Sequence, residues 1–189
     1  IIAPADAFDY IGLFNTAMHS LDPVVILEHN ALYTQRSEAP SKDLDYAIPF
    51  GVARTVQEGD QVTVLTYGGM VGRCAMVAAE LVAEGVSVEL IDLRCLDRLS
   101  IDYETIGISL AKTGSIVIVE EAARSQAIGP ALSAEITTRF FDDLDSPVAC
   151  LTSLDISTPV SRRLELAALV SDDQIESTFR KVAERSWSG

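Results

Sequence analysis

The sequence predicts an α/β fold of three layers, in which helices cover both faces of a mostly parallel sheet of about five strands. Apolar runs of strand length alternate with helical patterns along the chain, and glycines separate them. Residues 62–94 contain a strand, a helix and a second strand within about 30 residues, which is the length of a βαβ unit. Because a βαβ unit joins parallel strands by a right-handed crossover, we expect the surrounding sheet to be mostly parallel.

The central βαβ unit is the best-defined part of the pattern. Its strands are predicted at 62–67 and 86–93, where β-branched residues are frequent and glycines flank the runs. Between them, one helical face carries Cys74, Val77, Ala78, Leu81 and Val82. Gly85 follows this helix at a position that favours positive φ, so the helix is expected to end there.

The other elements have weaker patterns, and most of them have a recognisable start or end. Proline at 23 ends the first helix, and acidic residues open the last one. In chain order, we predict a helix capped by Asp9, a strand at 24–27, an edge strand at 51–55, a helix capped by Ser100 or Asp102 and closed by Gly114, a strand at 116–119, a helix at 129–140, a strand at 148–151, and a helix opened by a capping box at 171–174.

The chain divides into two unequal parts. Residues 1–30 provide one helix and little more than one strand, which is too little to bury a core. We therefore predict that they are the tail of a larger, upstream domain. Residues 31–47 are polar and irregular, as expected of a linker. Residues 48–189 contain the βαβ unit and form the second predicted domain.

Composition excludes several kinds of partner. The 189 residues carry a formal net charge of −14, which argues against nucleic acid and anionic membranes. No apolar run reaches the ~18 residues that a membrane-spanning helix needs. The three cysteines, Cys74, Cys95 and Cys150, are far apart and lack metal-binding spacing. We interpret them as core residues of a cytosolic (cytoplasmic) protein.

A partial dinucleotide-binding pattern follows the first strand of the βαβ unit. Gly69 and Gly72 fit the last two glycines of the G-x-G-x-x-G motif, and Asp92 follows Gly72 by 20 residues. Tyr67, however, occupies the position of the first glycine, which makes the tight turn in a true motif. We therefore favour an ordinary turn with glycines for close packing, and we keep a nucleotide site as the alternative.

Residue chemistry alone gives no self-contained active site. The two histidines, His19 and His29, have no nucleophile-elbow serine and no catalytic cysteine motif to act with. Glu120 and Glu121 follow a predicted parallel strand, where α/β proteins place their sites. Adjacent strand residues point to opposite faces, so these acids cannot form one dyad, and at most one can face a cleft.

The ordered set of motifs resembles a known family, the beta subunits of thiamine diphosphate-dependent 2-oxo acid dehydrogenases of the pyruvate or branched-chain type. Residues 1–33 resemble the end of the pyrimidine-binding domain in these subunits. The matching positions are Asp22, Pro23, Val24, Leu27, Glu28, His29, Leu32 and Tyr33. The remainder resembles their C-terminal domain, which transketolases share, with matches at 48–53, 62–68, 88–94 and 121–122. Many relatives carry His-Glu-Ala where this chain has Glu-Glu-Ala at 120–122.

The resemblance implies a fold like the transketolase C-terminal domain and a role in oxidative decarboxylation of a 2-oxo acid, with acyl transfer to lipoyl groups. It also implies thiamine diphosphate and magnesium, held by residues that precede the segment matching Ile1. We therefore assign no catalytic or cofactor-binding residue, and we expect this chain alone to be inactive. A potassium ion in some relatives corresponds to Ala17, Ser20 and Asp22 here, and a plain helix end is the alternative.

The same resemblance implies the partners of the chain. A second copy would make a homodimer contact through residues 122–141, where Ala123, Ala127, Ile128, Ala131 and Leu132 are small or apolar. The other implied partners are an alpha subunit or a fused alpha portion, and a dihydrolipoyl acyltransferase core. Two alternatives stay open: the equivalent domain of a transketolase or deoxyxylulose phosphate synthase, which the segment 27–33 disfavours, and a stand-alone nucleotide-binding regulatory module.

Overall fold

The computed structural model describes residues 1–37 and 43–184. Its strands form one sheet in the order β1-β3-β2-β4-β5, with β1 antiparallel at one edge and the others parallel. This confirms the predicted mostly parallel sheet of about five strands. The strands are β1 (Arg54–Gln57), β2 (Val62–Thr66), β3 (Val88–Asp92), β4 (Ile116–Ala123) and β5 (Ala149–Ser153).

Helices cover both faces of the sheet and complete the three predicted layers. They are α1 (Ala7–His19), α2 (Gly69–Val82), α3 (Tyr103–Thr113), α4 (Gly129–Arg139), α5 (Arg162–Ala168) and α6 (Asp172–Ala183). On one face, α2 and α6 pack on alternate residues of β2, β3 and β4. On the other face, α3 and α4 pack on the intervening residues. Strand alternation thus divides the apolar residues between two cores.

The strand order places a topological switch point between β2 and β4. The connection through α2 leads from β2 to β3 on one side, and the connection through α3 then brings β4 to the other side of β2. In open α/β sheets, ligands bind in the crevice outside the carboxyl ends of the strands at such a point. We therefore expect a candidate site at the carboxyl ends of β2 and β4.

Local structure differs from prediction in several places, and the edge strand predicted at 51–55 is found at Arg54–Gln57. Asp6, and not Asp9, caps α1, because its side chain accepts a hydrogen bond from the Asp9 amide at 2.8 Å. Strand β4 continues to Ala123, which pairs with Ser153 of β5, so Glu120 and Glu121 lie inside the strand. Helix α5, of seven residues, was not predicted because its pattern is too short to recognise. The predictions at Gly85, Asp102, Gly114 and the Ser171 capping box are confirmed.

The N-terminal segment, residues 1–34, lies beside this sheet and contributes no strand to it. The predicted strand at 24–27 is reduced to one parallel bridge between Ile2 and Ile26, and Ile2 also bridges Cys95 on its other side. A 3-10 helix at Asn30–Thr34 follows. A small third core lies beneath this segment and contains Ile2, Leu13, Ile48 and Cys95. Within residues 1–37 and 43–184, every helix is too short or too polar to span a lipid bilayer.

Candidate functional site

The switch-point crevice is occupied by the chain itself. A cavity of about 100 Å³ remains there, lined by residues that include His29, Tyr67, Gly69 and Glu121. The His29 ring enters from the N-terminal segment and lies against the start of α2. A Cβ added to Gly69 would lie 2.6 Å from this ring, so only glycine leaves room for the imidazole. The space where an α/β protein usually holds its ligand is therefore largely filled by a side chain.

Glu120 and Glu121 point in opposite directions, as predicted. Glu120 is fully buried and accepts hydrogen bonds from the Ile128 amide at 3.0 Å and the Gly129 amide at 2.7 Å. It therefore caps the start of α4, where unpaired amides favour a negative charge. Burial raises the pKa of Glu120, and the Gly129 amide acts in the opposite direction.

The Tyr67 hydroxyl completes the set of donors to Glu120, at 3.1 Å from its Oε1. Burial raises the pKa of Tyr67, and the neighbouring Glu120 charge raises it further. The phenol therefore stays protonated and donates its hydrogen bond throughout the physiological pH range. Tyr67 and Glu120 together form a structural pair that fixes α4 against the sheet.

Glu121 pairs with His29 on the other face of β4. The His29 Nε2 lies 3.1 Å from Glu121 Oε2, and its Nδ1 accepts a hydrogen bond from the Ala31 amide at 3.2 Å. Because Nδ1 accepts, Nε2 carries the proton and donates to the carboxylate. This pair joins the N-terminal segment to the sheet. Among the described residues, no serine, threonine or cysteine side chain is hydrogen-bonded to His29 or Glu121.

The partial dinucleotide pattern does not form a nucleotide site. Tyr67 occupies the position of the turn glycine and is hydrogen-bonded to Glu120, and Asp92 is fully buried, so its carboxylate cannot reach a ribose. Gly68 adopts a φ of +55° at the turn, which only glycine takes easily. The interpretation of an ordinary turn is therefore supported. Close packing explains Gly69, which lies against the His29 ring. It does not explain Gly72, where an added Cβ would meet no atom within 4 Å.

A buried cluster of charges holds α1 on the edge of the sheet. Asp9 is fully buried, and its carboxylate lies 2.6 Å from Nη2 of Arg94 and 3.1 Å from Nη2 of Arg54. Arg54 also reaches Asp6 at 2.9 Å and Asp92 at 3.4 Å. Arg94 lies at the end of β3 with a φ of +56°, an unusual conformation for a residue with a side chain.

This cluster carries one more acid than base. Three carboxyl groups share two guanidinium groups, so the two cations balance only two carboxylates, and ionisation of the third is disfavoured. Burial, followed by the nearby Asp9 charge, raises the pKa of Asp92 to about 8. Sequence reasoning missed the cluster, although Asp9 near the start of α1 and the pair Asp92 and Arg94 at the end of a buried strand were signals that could have suggested it.

An open groove lies on the outer side of the N-terminal segment. Its volume is about 300 Å³, and its walls include Asp6, Tyr10, Glu28, Leu32 and Tyr33. The Tyr33 hydroxyl donates to Glu28 at 2.7 Å. Hydrogen bonds from Tyr33 and then Tyr10 lower the pKa of Glu28, so its carboxylate is ionised at neutral pH. The groove combines aromatic walls with negative charge.

The structure places Ala17, Ser20 and Asp22 together at the end of α1. The Ala17 carbonyl accepts from the Ser20 amide at 3.1 Å, and the Ser20 hydroxyl accepts from the Asp22 amide at 3.2 Å. These contacts are those of a plain helix end, and they leave the second lone pair of the Ala17 carbonyl available. Among residues 1–37 and 43–184, no three His, Cys, Asp or Glu side chains are grouped to hold a metal.

The predicted dimer patch includes part of a second cavity. Its volume is about 310 Å³, and its walls include Ile101, Ala127, Ile128 and Ala131. Arg98 and Glu135 form an ion pair at its rim. Ala131 is exposed, whereas Leu132 is only 5% exposed and faces the sheet. The patch therefore presents Ala127, Ile128 and Ala131 to solvent at least in part, and Leu132 belongs to the core.

Comparison with known families matches residues 51–175 to the model for the transketolase C-terminal domain. Among solved structures, a split-gene transketolase described as an inactive beta4 tetramer superposes with a TM-score of 0.77. It is 23% identical, and the match covers 97% of this chain and 57% of that one. At this identity the likeness concerns the fold alone, and it agrees with the three-layer architecture.

Curated relatives are more similar in sequence. The mitochondrial pyruvate dehydrogenase E1 component subunit beta of Dictyostelium discoideum is 35% identical over 98% of this chain and 52% of its own length. The corresponding subunit of Staphylococcus aureus is 37% identical over 86% of this chain and 49% of its own. This chain thus spans about half the length of the relatives it matches. It belongs to the transketolase C-terminal domain family, and over nearly its whole length it is homologous to pyruvate dehydrogenase E1 beta subunits.

Proposed function

We propose that the chain forms the C-terminal part of a working beta subunit in the decarboxylase component of a 2-oxo acid dehydrogenase. The complete component would carry out thiamine diphosphate-dependent oxidative decarboxylation and transfer the acyl group to lipoyl groups. Homology to pyruvate dehydrogenase E1 beta subunits over nearly the whole chain carries this proposal. The filled switch-point crevice supports a role in assembly and docking, because it leaves no ligand-sized space at the usual catalytic position.

Two domains meet within this chain in the proposed arrangement. Residues 1–30 belong with an upstream pyrimidine-binding domain, 31–47 link it to the second domain, and 48–189 form the transketolase C-terminal-like domain. The isolated bridges that Ile2 makes to Ile26 and Cys95 support this division, since the N-terminal segment adds no strand to the five-stranded sheet. Residues 38–42 of the proposed linker lie outside the described part of the chain.

The cofactor chemistry belongs to other parts of the proposed enzyme. Thiamine diphosphate, when bound with magnesium, would supply the nucleophile for decarboxylation of the 2-oxo acid. Among the described residues, no three His, Cys, Asp or Glu side chains are placed to hold a metal ion, so we assign none of them to magnesium. We derive no catalytic step from this chain. A potassium ion on backbone oxygens near Ala17, Ser20 and Asp22 stays a proposal, supported by the proximity of these residues at the end of α1.

The proposed partners are a second copy of the chain, an alpha subunit or fused alpha portion, and a dihydrolipoyl acyltransferase core. The partly exposed Ala127, Ile128 and Ala131 support self-association, because small side chains permit close approach of two backbones. Neither nucleic acid nor membrane is a proposed partner of a chain with a net charge of −14. A cytoplasmic location is also a proposal, and curated relatives include mitochondrial and chloroplastic subunits.

A chimaeric subunit tests the proposal. The matched part of the Staphylococcus aureus beta subunit would be replaced by this chain and co-expressed with the alpha subunit of that enzyme. We expect the chimaera to co-purify with the alpha subunit and to turn over pyruvate when thiamine diphosphate and magnesium are supplied. This chain alone should show no turnover under the same conditions. A soluble chimaera that neither binds the alpha subunit nor turns over pyruvate would contradict the proposed function.

A further inference from the structure

The groove on the outer side of the N-terminal segment converges on one carboxylate. Glu28 lines this groove together with Tyr10, Leu32 and Tyr33, and the groove has a volume of about 300 Å³. The Tyr33 hydroxyl donates to Glu28 at 2.7 Å, and Tyr10 donates a second hydrogen bond to the same carboxylate. Both phenols therefore reach Glu28, and the groove combines a fixed carboxylate with two aromatic rings.

Glu28 carries a negative charge that the described chain does not neutralise. The hydrogen bonds from Tyr33 and Tyr10 lower the pKa of Glu28, so it is ionised at neutral pH. Among residues 1–37 and 43–184, no Lys, Arg or His side chain forms an ion pair with it, whereas the other acid of the groove, Asp6, lies 2.9 Å from Arg54. A carboxylate offers about four lone-pair sites, and the two phenols use two of them. Glu28 can therefore accept further hydrogen bonds from a bound group.

The chemistry of these walls selects one class of ligand. An anion would be repelled by Glu28 and by the net charge of −14. An uncharged apolar group would cover the Glu28 carboxylate without a counter-charge, which is unfavourable. A metal ion would lack ligands, because no three His, Cys, Asp or Glu side chains of the described chain are grouped to hold one. An organic cation fits best, since it pairs with the carboxylate and is attracted to aromatic faces.

Among organic cations, the walls favour a guanidinium group. Guanidinium is planar and weakly hydrated, so it can stack on an aromatic ring while its N–H groups donate to a carboxylate. Tyr10 and Tyr33 are 36% and 67% exposed, which leaves ring surface available for stacking. The Tyr10 ring also stacks with Phe14 at a centroid distance of 6.0 Å, which holds it in position. Leu32 provides an apolar wall for the aliphatic stem of an arginine side chain.

We propose that this groove binds the guanidinium group of an arginine side chain, with Glu28 as its ion-pair partner and Tyr10 and Tyr33 as its stacking surfaces. The arginine belongs to a basic segment of a polypeptide partner, because free arginine also carries a carboxylate that this acidic chain repels. The proposal concerns a binding site and is independent of the 2-oxo acid dehydrogenase function proposed above.

A titration with blocked tripeptides tests the site. The isotope-labelled chain is titrated with acetyl-Gly-Arg-Gly-amide, and the amide resonances of residues 28–34 are followed by NMR. The matched ligand control is the same peptide with citrulline in place of arginine, which keeps the shape of the side chain and removes its charge. We expect saturable binding of the arginine peptide and at least ~5-fold weaker binding of the citrulline peptide. Free arginine should also bind more weakly than the arginine peptide.

Variants of the groove identify the residues responsible. Glu28→Gln should weaken binding of the arginine peptide at least ~5-fold, because it removes the ion pair and keeps the shape of the side chain. Glu58→Gln is the matched control, since Glu58 is exposed outside the groove and the variant loses the same charge. Tyr33→Leu should weaken binding about 3-fold by removing a stacking surface. Tyr33→Phe, which keeps the ring, should weaken it less.

Three outcomes would overturn the cation site: no saturable binding to the folded chain, equal affinity for the arginine and citrulline peptides, or equal weakening by Glu28→Gln and Glu58→Gln. Tighter binding of free arginine than of the peptide would overturn the polypeptide partner and support the same site with a free amino acid as its ligand. None of these measurements uses turnover of a 2-oxo acid, so their failure and the failure of the proposed function are distinguishable.

Discussion

The sheet domain (residues 48–184) and the N-terminal segment differ in how completely they bury their apolar side chains. In the sheet domain, Leu65, Ile118 and Phe179 are fully buried between helices and strands of the same domain. In the N-terminal segment, Phe14, Met18 and Val25 are 40% to 68% exposed, although the chain is just as apolar there. The sheet domain buries its apolar side chains in its own core, whereas the N-terminal segment buries only those that face the sheet domain. A segment can therefore be well ordered and still be half of an interface.

Matched truncations of two phenylalanines should show the contrast most strongly. Phe179→Ala removes a fully buried ring from the core between α2 and α6, so we expect a loss of about 3–5 kcal/mol in the free energy of unfolding. Phe14→Ala removes a ring that is 40% exposed on α1 and should cost less than about 1 kcal/mol. Urea denaturation followed by circular dichroism measures both. Equal losses would mean that α1 is part of the same core.

Removing one charge from the buried cluster should detach the N-terminal segment. Arg94→Leu leaves Asp9 fully buried with only Arg54 beside it, and breaking such a pair costs roughly 3–5 kcal/mol. We expect most of the loss to appear as local opening of α1, measured by limited proteolysis near residues 7–19. Arg162→Ala is the control, because the Arg162 side chain is 76% exposed in its pair with Glu165. Comparable proteolysis of both variants would show that the cluster does not anchor the segment.

The pH dependence of stability should reveal the proton that Asp92 holds within the buried cluster. The pKa of Asp92 is raised to about 8 in the folded chain and is 3.8 in the absence of the fold. Its proton therefore stabilises the folded state below about pH 4, and this contribution is lost as the pH rises towards 8. Between pH 5 and pH 8, the free energy of unfolding of the Asp92→Asn variant should fall by about 1–3 kcal/mol less than that of the unchanged chain. Parallel pH profiles for the two proteins would contradict a raised pKa.

The smallest predicted effect concerns the junction between the two regions. Gly69→Ala would place a Cβ 2.6 Å from the His29 ring and force the imidazole out of the switch-point crevice. We expect a loss of about 1–2 kcal/mol in the free energy of unfolding. The double variant with His29→Ala should recover most of it, because the space is then free. A double variant as unstable as Gly69→Ala would show that the clash lies elsewhere.

The sequence predicted the sheet domain better than the N-terminal segment, for a physical reason. Strands such as Val62–Thr66 are buried on both faces and consist of β-branched and apolar residues, so their pattern is easily recognised. Glu120 and Glu121 were correctly assigned to opposite faces, because strand geometry alone decides this. The predicted strand at 24–27 was not a full strand, since one edge of it has no partner in the described chain. Local pattern does not reveal a missing partner.

The candidate site was only partly predictable because its contacts join distant parts of the chain. His29 meets Glu121 across 92 residues, and Asp9 meets Arg94 across 85. Asp9 was wrongly interpreted as a helix cap, since an acid near a helix start usually serves that purpose. Its actual partners become adjacent only when α1 packs on β3. The positive φ of Arg94 has no sequence signal comparable to a glycine.

Native-state hydrogen exchange on the full chain tests the central contrast most directly. We predict that amides of β2 and β4, such as those of Val64 and Ile118, open only with global unfolding. Amides of α1 near Phe14 and Met18 should open at a lower free energy, and the Ile26 amide should exchange fastest of these because it faces an open edge. A single opening free energy shared by α1, Ile26 and the central strands would contradict the account, because it would mean that the N-terminal segment is already complete within this chain.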